Sequence, residues 1–316
     1  MARSRFLISL VTKDNDYQRE QAAAAEETAK SLGVETQVIY ADSDPITQSQ
    51  QLLEIIQSPR ANEYTGIIVE PCGGTSMTQV ARAAIKSNIG WVVLNREIDG
   101  IGELRSLGGV PVFSVSSDHD EIGRIQGRQF AALLPKGGAV LYLQGPSASQ
   151  VAQRRAEGVQ DTRPRNVSMK MLKCANWTEA GGHQAVASWL RVTVAQKERI
   201  DLCAGQNDLI AMGARKALKE IVPGASGVAF GGLRFTGIDG LPKTGQAWVR
   251  SGVLAATVIV PPNTVPALKM LVKATNEKSQ PAEQTLVAPF SFPELGQLRP
   301  MGIGADTDGS DDPWKF

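Results

Sequence analysis

The sequence predicts two doubly wound, Rossmann-like α/β domains, each a parallel sheet covered by helices on both faces. Eight apolar, β-branched-rich runs punctuate the chain: Phe6–Val11, Thr36–Tyr40, Gly66–Glu70, Trp91–Leu94, Ala139–Leu143, Ile200–Ala204, Phe235–Ile238 and Ala256–Val260. Strands that read as continuous apolar stretches are buried on both faces, as in parallel sheets. Helix-length amphipathic segments separate the runs, which is what a crossover between parallel strands requires. The 316 residues exceed one comfortable core and fit two domains of about 150 residues each.

The elements follow in order. A first helix is expected from Asp16 to Ser31, with Ala22–Ala25 supplying propensity and Gly33 ending it. Pro45–Ile56 reads as the second, entered through Asp42-Ser43-Asp44, a capping cluster beside a proline suited to the first turn. Ser76–Ser87 is the third, between the strands that end at Glu70 and begin at Trp91. The rhythm breaks at the Gly/Pro-bearing segment Asp99–Pro111, which leads to a short strand at Val112–Val115. Ser116-Ser117-Asp118 then caps a helix over Glu121–Leu134.

A second series begins with strand Ala139–Leu143, helix Gln150–Gln160, strand Ser168–Lys173 and helix Thr178–Leu190. Strand Ile200–Ala204, helix Asp208–Lys219, strand Phe235–Ile238, helix Lys243–Val249 and strand Ala256–Val260 complete it. The helix Thr264–Thr275 and a strand near Thr285–Val287 are surplus to this half and suit a return to the first. The tail Asp306–Phe316 has few apolar residues and is expected to be loose.

Composition narrows the function. A net charge of +1 removes the electrostatic case for nucleic acid, which needs a concentrated basic surface. No run approaches the ~20 apolar residues that span a membrane. Met1-Ala2-Arg3-Ser4-Arg5 is basic enough to open a signal peptide, but Phe6–Val11 is short for its apolar stretch and Lys13-Asp14 follows at once. Phe6–Val11 is therefore read as a strand. A periplasmic location is expected if a leader has been removed, and a cytoplasmic one otherwise. Cys72, Cys174 and Cys203 are expected to be small buried hydrophobes rather than a disulfide framework. His119 and His183 have no ligand-spaced neighbours, so no metal is expected.

Sharper motifs are missing. No G-x-G-x-x-G follows the first strand, and Cys72-Gly73-Gly74-Thr75 reads only as a turn, so no dinucleotide cofactor is implied. Neither a P-loop nor a G-x-S-x-G elbow is present. The acidic run Asp306–Asp312 lacks the closing glutamate of a calcium loop. No catalytic residue is assigned.

Ligands of open parallel sheets sit beyond the carboxyl ends of the strands. At those places stand Lys13-Asp14-Asn15-Asp16-Tyr17, Asn95-Arg96, Gln206-Asn207-Asp208 and Asp239-Gly240. Hydrogen-bonding forks and aromatic faces suit a neutral, hydroxyl-rich small molecule. Asp14 or Asn15 can instead cap a helix, and Arg96 can serve a structural ion pair. Arg154 and Arg155 point about 100° apart on a helix, so at most one faces a given site. Trp177 follows its strand closely enough to offer a flat apolar face to a sugar ring.

Together these segments resemble the type I periplasmic solute-binding proteins, in the ribose- and galactose-binding branch shared with the effector domains of LacI-type repressors. The likeness runs from Phe6 to about Val287. It rests on Asp14-Asn15-Asp16-Tyr17, Lys30-Ser31-Leu32-Gly33, Val92-Val93-Leu94-Asn95-Arg96, Ser116-Ser117-Asp118 and Leu143-Gln144-Gly145. Arg155-Ala156-Glu157-Gly158, Ala204-Gly205-Gln206-Asn207-Asp208 with Met212-Gly213-Ala214, Gly237-Ile238-Asp239-Gly240 and Leu254-Ala255-Ala256-Thr257-Val258 complete it. The resemblance implies sugar contacts from Asn15, Arg96, Arg155, Asn207 and Asp239, with Tyr17 and Trp177 as ring-stacking aromatics. Asp16 and Asn95 join the candidate set by position. Three departures from the ribose binders, Asn95 for an aspartate, Val260 for a glutamine and Gln18 for an aromatic, argue against ribose itself. A monosaccharide or cyclic polyol remains the expected ligand.

The family also implies a three-strand hinge, near Ser117–His119, Val260–Pro262 and Ala288–Phe290, with ligand bound between the domains. The expected domains are residues 1–117 with 261–289, and 118–260 with 290–316. The leading function is a monomeric, non-catalytic subunit that delivers its ligand to the membrane permease of an ABC transporter. The competing one is the sensory domain of a transcription factor or of a sensor-kinase system. LacI-type repressors carry a DNA-binding head of roughly 60 residues before this domain, so with a first strand at Phe6 the repressor form is expected only if such a head has been removed.

Overall fold

The computed structural model describes residues 4–72, 77–96, 98, 100–192, 199–221 and 232–300. The tail expected to be loose, and the turn expected at Cys72-Gly73-Gly74-Thr75 from residue 73 onward, lie outside these residues. The chain forms two compact units, residues 1–117 with 261–287 and residues 118–260 with 288–316. It passes from one to the other after Ser117, Val260 and Val287.

The first unit contains β1 (Arg5–Leu10), α1 (Asp16–Leu32), β2 (Glu35–Tyr40), α2 (Pro45–Ile56), β3 (Gly66–Val69), α3 (Met77–Lys86), β4 (Gly90–Leu94), α4 (Ile101–Ser106) and β5 (Val112–Ser117). The second contains α5 (His119–Leu133), β6 (Gly138–Gln144), α6 (Gln150–Thr162), β7 (Val167–Lys173), α7 (Glu179–Leu190), β8 (Leu202–Gly205), α8 (Asp208–Ile221), β9 (Arg234–Asp239), α9 (Gly245–Arg250) and β10 (Ala256–Ile259). The chain returns to the first unit with α10 (Thr264–Glu277) and β11 (Gln284–Val287), then adds β12 (Phe290–Phe292) to the second.

The sheets share one plan. Strand order is β2-β1-β3-β4-β5-β11 in the first and β7-β6-β8-β9-β10-β12 in the second. Every pairing is parallel except that of β12 with β10. The inner strands are buried on both faces, and their successive residues supply alternate cores. In β4, Trp91 and Val93 pack with α2 and α3 residues such as Leu52 and Val80, while Val92 and Leu94 pack with α1 and α10 through Ala25 and Leu271. In β6, Leu141 and Leu143 join one cluster and Val140 and Tyr142 the other. This double burial is why inner strands such as β3 and β4 read as unbroken apolar runs.

Two elements differ from the sequence reading. The segment Asp99–Pro111 contains α4, opened by Gly100 in the left-handed region at φ 66° and anchored by buried Leu104. Six residues are too few for a helical repeat to register. The second sheet is not wholly parallel. Its edge strand β12 runs antiparallel, held by Gln129, whose Nε2 donates to Thr257 O and to Ser291 Oγ at 3.0 Å each. A three-residue edge strand carries no long apolar run, and Phe290 is exposed.

Candidate ligand-binding site

In each sheet the chain order reverses beside its first strand: between β1 and β3 in the first unit, and between β6 and β8 in the second. Crevices at such switch points, outside the carboxyl ends of the strands, are where this architecture takes ligands.

In the first unit Asn15 caps α1, its side chain accepting from the Gln18 N–H at 3.2 Å. The capping alternative is therefore realised, and what Asn15 retains for a ligand is its NH2 group. Gln18 accepts from Val11 N–H at 3.0 Å and donates to Glu70 Oε2 at 2.9 Å, so it ties the exits of β1 and β3 together. Asp16 is engaged by Arg19 in an ion pair. Tyr17 is half-buried and its hydroxyl donates to Pro261 O at 3.3 Å. Asn95 leaves β4 with φ 56°, and its Oδ1 accepts from Asn263 Nδ2 at 2.6 Å and from Ser117 N–H at 3.4 Å. Arg96 is half-buried and its Nη1 donates to Asn95 O at 3.1 Å. No carboxylate pairs with Arg96 among the salt bridges of the described residues.

In the second unit Arg155 is 6% exposed and its Nη1 donates to Gln206 O at 2.6 Å. Arg154 turns away and forms an ion pair with Asp120 at 2.7 Å, as the helical offset requires. The Arg155 guanidinium carbon lies 5.6 Å from the centre of the Trp177 ring. That ring also lies against Gly145, where a Cβ would come within 2.3 Å of it. Asn207 caps α8 through Oδ1, which accepts from Ile210 N–H at 2.7 Å, and its Nδ2 donates to Trp177 O at 2.9 Å. At 2% exposed, it retains one N–H beyond this structural work. Asp239 ends β9 with φ 100°, in the region that side-chain-bearing residues rarely adopt, and is half-buried. Asn95 and Asp239 thus hold sparsely populated backbone conformations at strand exits.

Two residues outside the candidate list belong to this setting. Glu70 directly follows β3 at the switch point, and the signal was a carboxylate after a wholly apolar strand. Asp208 is 3% exposed and accepts from Gly240 N–H at 2.8 Å and from Thr257 Oγ1 at 2.7 Å. Burial, reinforced by Asp239, pushes its carboxyl well above the usual carboxylate range. The folded state therefore keeps a proton that the unfolded chain has already lost. Stability falls as pH rises from the ordinary value, about 4, toward the raised one. Asp208→Asn removes that titration. The wild type's advantage over this variant, read from urea midpoints, should be greatest near the acid end and shrink as pH rises; a constant difference would refute the shift.

The three cysteines are free thiols. Burial pushes Cys72 and Cys174 up to about 12, which leaves no reactive thiolate. Among the described residues no group of three or more His, Cys, Asp or Glu side chains is placed to hold a metal ion. No helix among them is long and apolar enough to cross a membrane.

The chain is 28% identical over 222 residues to the D-apiose import binding protein of Paraburkholderia graminis, covering 69% of this chain and 66% of that one. It thus spans just under two thirds of that relative's length. It is 25% identical over 284 residues to the D-allose-binding periplasmic protein of Escherichia coli K12, covering 88% and 86%. An ABC transporter periplasmic solute binding protein from Actinobacillus succinogenes 130z, solved with bound D-allose, has a TM-score of 0.77 at 21% identity over 92% of this chain and 97% of that one. The Caulobacter myo-inositol binding protein, solved with myo-inositol, has a TM-score of 0.75 at 20% identity over 92% and 93%. Likeness at that identity establishes the fold. The periplasmic binding protein domain matches residues 6–278. Because that match runs from β1 to the end of α10, the chain belongs to the periplasmic binding protein family.

Proposed function

We propose that this protein is a non-catalytic solute-binding protein that captures a monosaccharide or cyclic polyol and delivers it to the permease of an ABC transporter outside the cytoplasm. The observation that carries the reading is the set of groups at the strand exits. Amide and guanidinium donors (Asn15, Asn95, Arg96, Asn207), an acceptor carboxylate (Asp239) and an aromatic face (Tyr17) stand at or just beyond them. Arg155 of α6 and Trp177 add a further fork and face, and no activated nucleophile accompanies them among the described residues. Such a set recognises hydroxyl groups and C–H faces and performs no chemistry. The relatives named for D-apiose and D-allose support the same class of ligand.

Calorimetry against pentoses, hexoses and inositols should find one tight ligand and no turnover. Binding of an amino acid or nucleotide, with every sugar and polyol silent, would overturn the reading. Arg96 offers charge-assisted bonds, each worth about 1.5–3 kcal/mol when desolvated. Arg96→Ala should weaken binding of that ligand roughly tenfold or more. Unchanged affinity in a folded variant would remove Arg96 from the site.

A further inference from the structure

We infer that Gln206, itself fully buried and out of reach of any ligand, positions the Trp177 ring and the Arg155 guanidinium as one preformed platform for the sugar. The inference rests on the proposed function for its ligand, but the placement of the ring can be measured without one.

Gln206 joins β8 to α8 and is 0% exposed. Its side chain is saturated on the donor side: Nε2 donates to Tyr142 Oη at 2.8 Å and to Ala152 O at 2.8 Å. Its Oε1 accepts from Gly145 N–H at 2.9 Å. Its main chain reaches two further groups, with N–H donating to Leu143 O at 3.0 Å and O accepting from Arg155 Nη1 at 2.6 Å. One residue therefore joins β6, the turn after it and α6.

The indole of Trp177 depends on two of these partners. It lies on Gly145 so closely that a Cβ there would come within 2.3 Å of the ring. The Arg155 guanidinium carbon stands 5.6 Å from its centre. The side chain of Gln206 fixes the first neighbour and its carbonyl fixes the second. A buried amide with its donors paired holds its partners rigidly, because each lost bond leaves a desolvated polar group. Preorganising an aromatic face and a donor fork lowers the ordering cost that binding would otherwise incur.

The test uses the full chain labelled with 5-fluorotryptophan. The Trp177 fluorine resonance is assigned by its loss in Trp177→Phe. Gln206→Leu removes all three side-chain bonds and should shift that resonance in the ligand-free protein while leaving that of Trp91, in the other unit, in place. Affinity for the sugar found by calorimetry should fall about tenfold. Gln206→Glu keeps an acceptor for Gly145 and can donate only when protonated. Burial raises the introduced carboxyl as it raises that of Asp208, so the variant's Trp177 resonance and its affinity should depart from wild type as pH rises through that raised value. Below it they should return part of the way, where one O–H stands in for two N–H donors. A general loss of packing does not produce that profile. An unmoved Trp177 resonance in both variants overturns the inference, as does a displaced ring with unchanged affinity. If Gln206→Leu does not fold, the titration of Gln206→Glu decides alone. If the wild type binds no sugar, the proposed function falls, and the ligand-free resonance still decides whether Gln206 sets the ring.

Discussion

Gly213→Ala is expected to destabilise the second unit by about 2 kcal/mol or more, although alanine is the better helix former. A Cβ at Gly213 in α8 would sit 1.9 Å from the Glu179 carbonyl oxygen and 2.7 Å from the His183 nitrogen, both backbone atoms of α7. The contact is reciprocal, since a Cβ at Gly182 in α7 would meet the Ile210 oxygen of α8 at 2.3 Å. The two helices therefore touch backbone to backbone, and no flexible side chain can give way. Overpacking typically costs about 1–3 kcal/mol, and a rigid neighbour pushes the cost to the upper end. The propensity gained by replacing glycine within a helix returns only about 1 kcal/mol. Overpacking wins, and the urea midpoint should fall with the slope unchanged. Gly102→Ala is the control. It lies in α4 with nothing within 4 Å of its added Cβ, and should be neutral or stabilising by about 0.4–1 kcal/mol. Equal effects at both sites would show that α7 and α8 part cheaply.

Arg155→Ala is expected to lower sugar affinity about a hundredfold, the largest effect of any single candidate. Arg155 is almost fully buried, so its hydrogen bonds form in a low-dielectric setting where charge assistance counts most. Its guanidinium carbon also lies over the Trp177 ring, 5.6 Å from the ring centre, so its removal takes away a donor fork and loosens the aromatic face together. Two charge-assisted contacts at about 1.5 kcal/mol each give that factor. Arg155→Lys separates the contributions. Lysine restores the charge as a point and not as a planar fork, so it should recover a tenth of the loss or less. Full recovery would show that charge alone is read at this position and that the planar fork is not.

Much of the fold was legible because its causes are local. Runs such as Trp91–Leu94 stay apolar along their whole length since Trp91 and Val93 serve one core and Val92 and Leu94 the other. Helix ends were equally legible: Asp44 caps α2 ahead of Pro45, and Gly33 takes φ 68° after α1. The Arg154–Arg155 offset followed from helix geometry alone. What escaped was short or carried by distant partners. The α4 helix has six residues and β12 three, too few for either period to register.

The sequence by itself determined which longer segments form strands and helices, their alternation, and which chemical groups stand at strand exits. Each of these depends on neighbours within a few residues. The tertiary structure decided which partners those groups meet. Asn95 finds Asn263 across a separation of 168 residues, Thr264 finds Gln21 across 243, and Tyr17 finds Pro261 across 244. Only packing also distinguished Asn207, which caps α8 and holds Trp177 while keeping one N–H, from Gln206 and Asp208 on either side of it. All three are polar residues in one tripeptide, and their roles diverge because each side chain leaves the same strand exit toward a different neighbour.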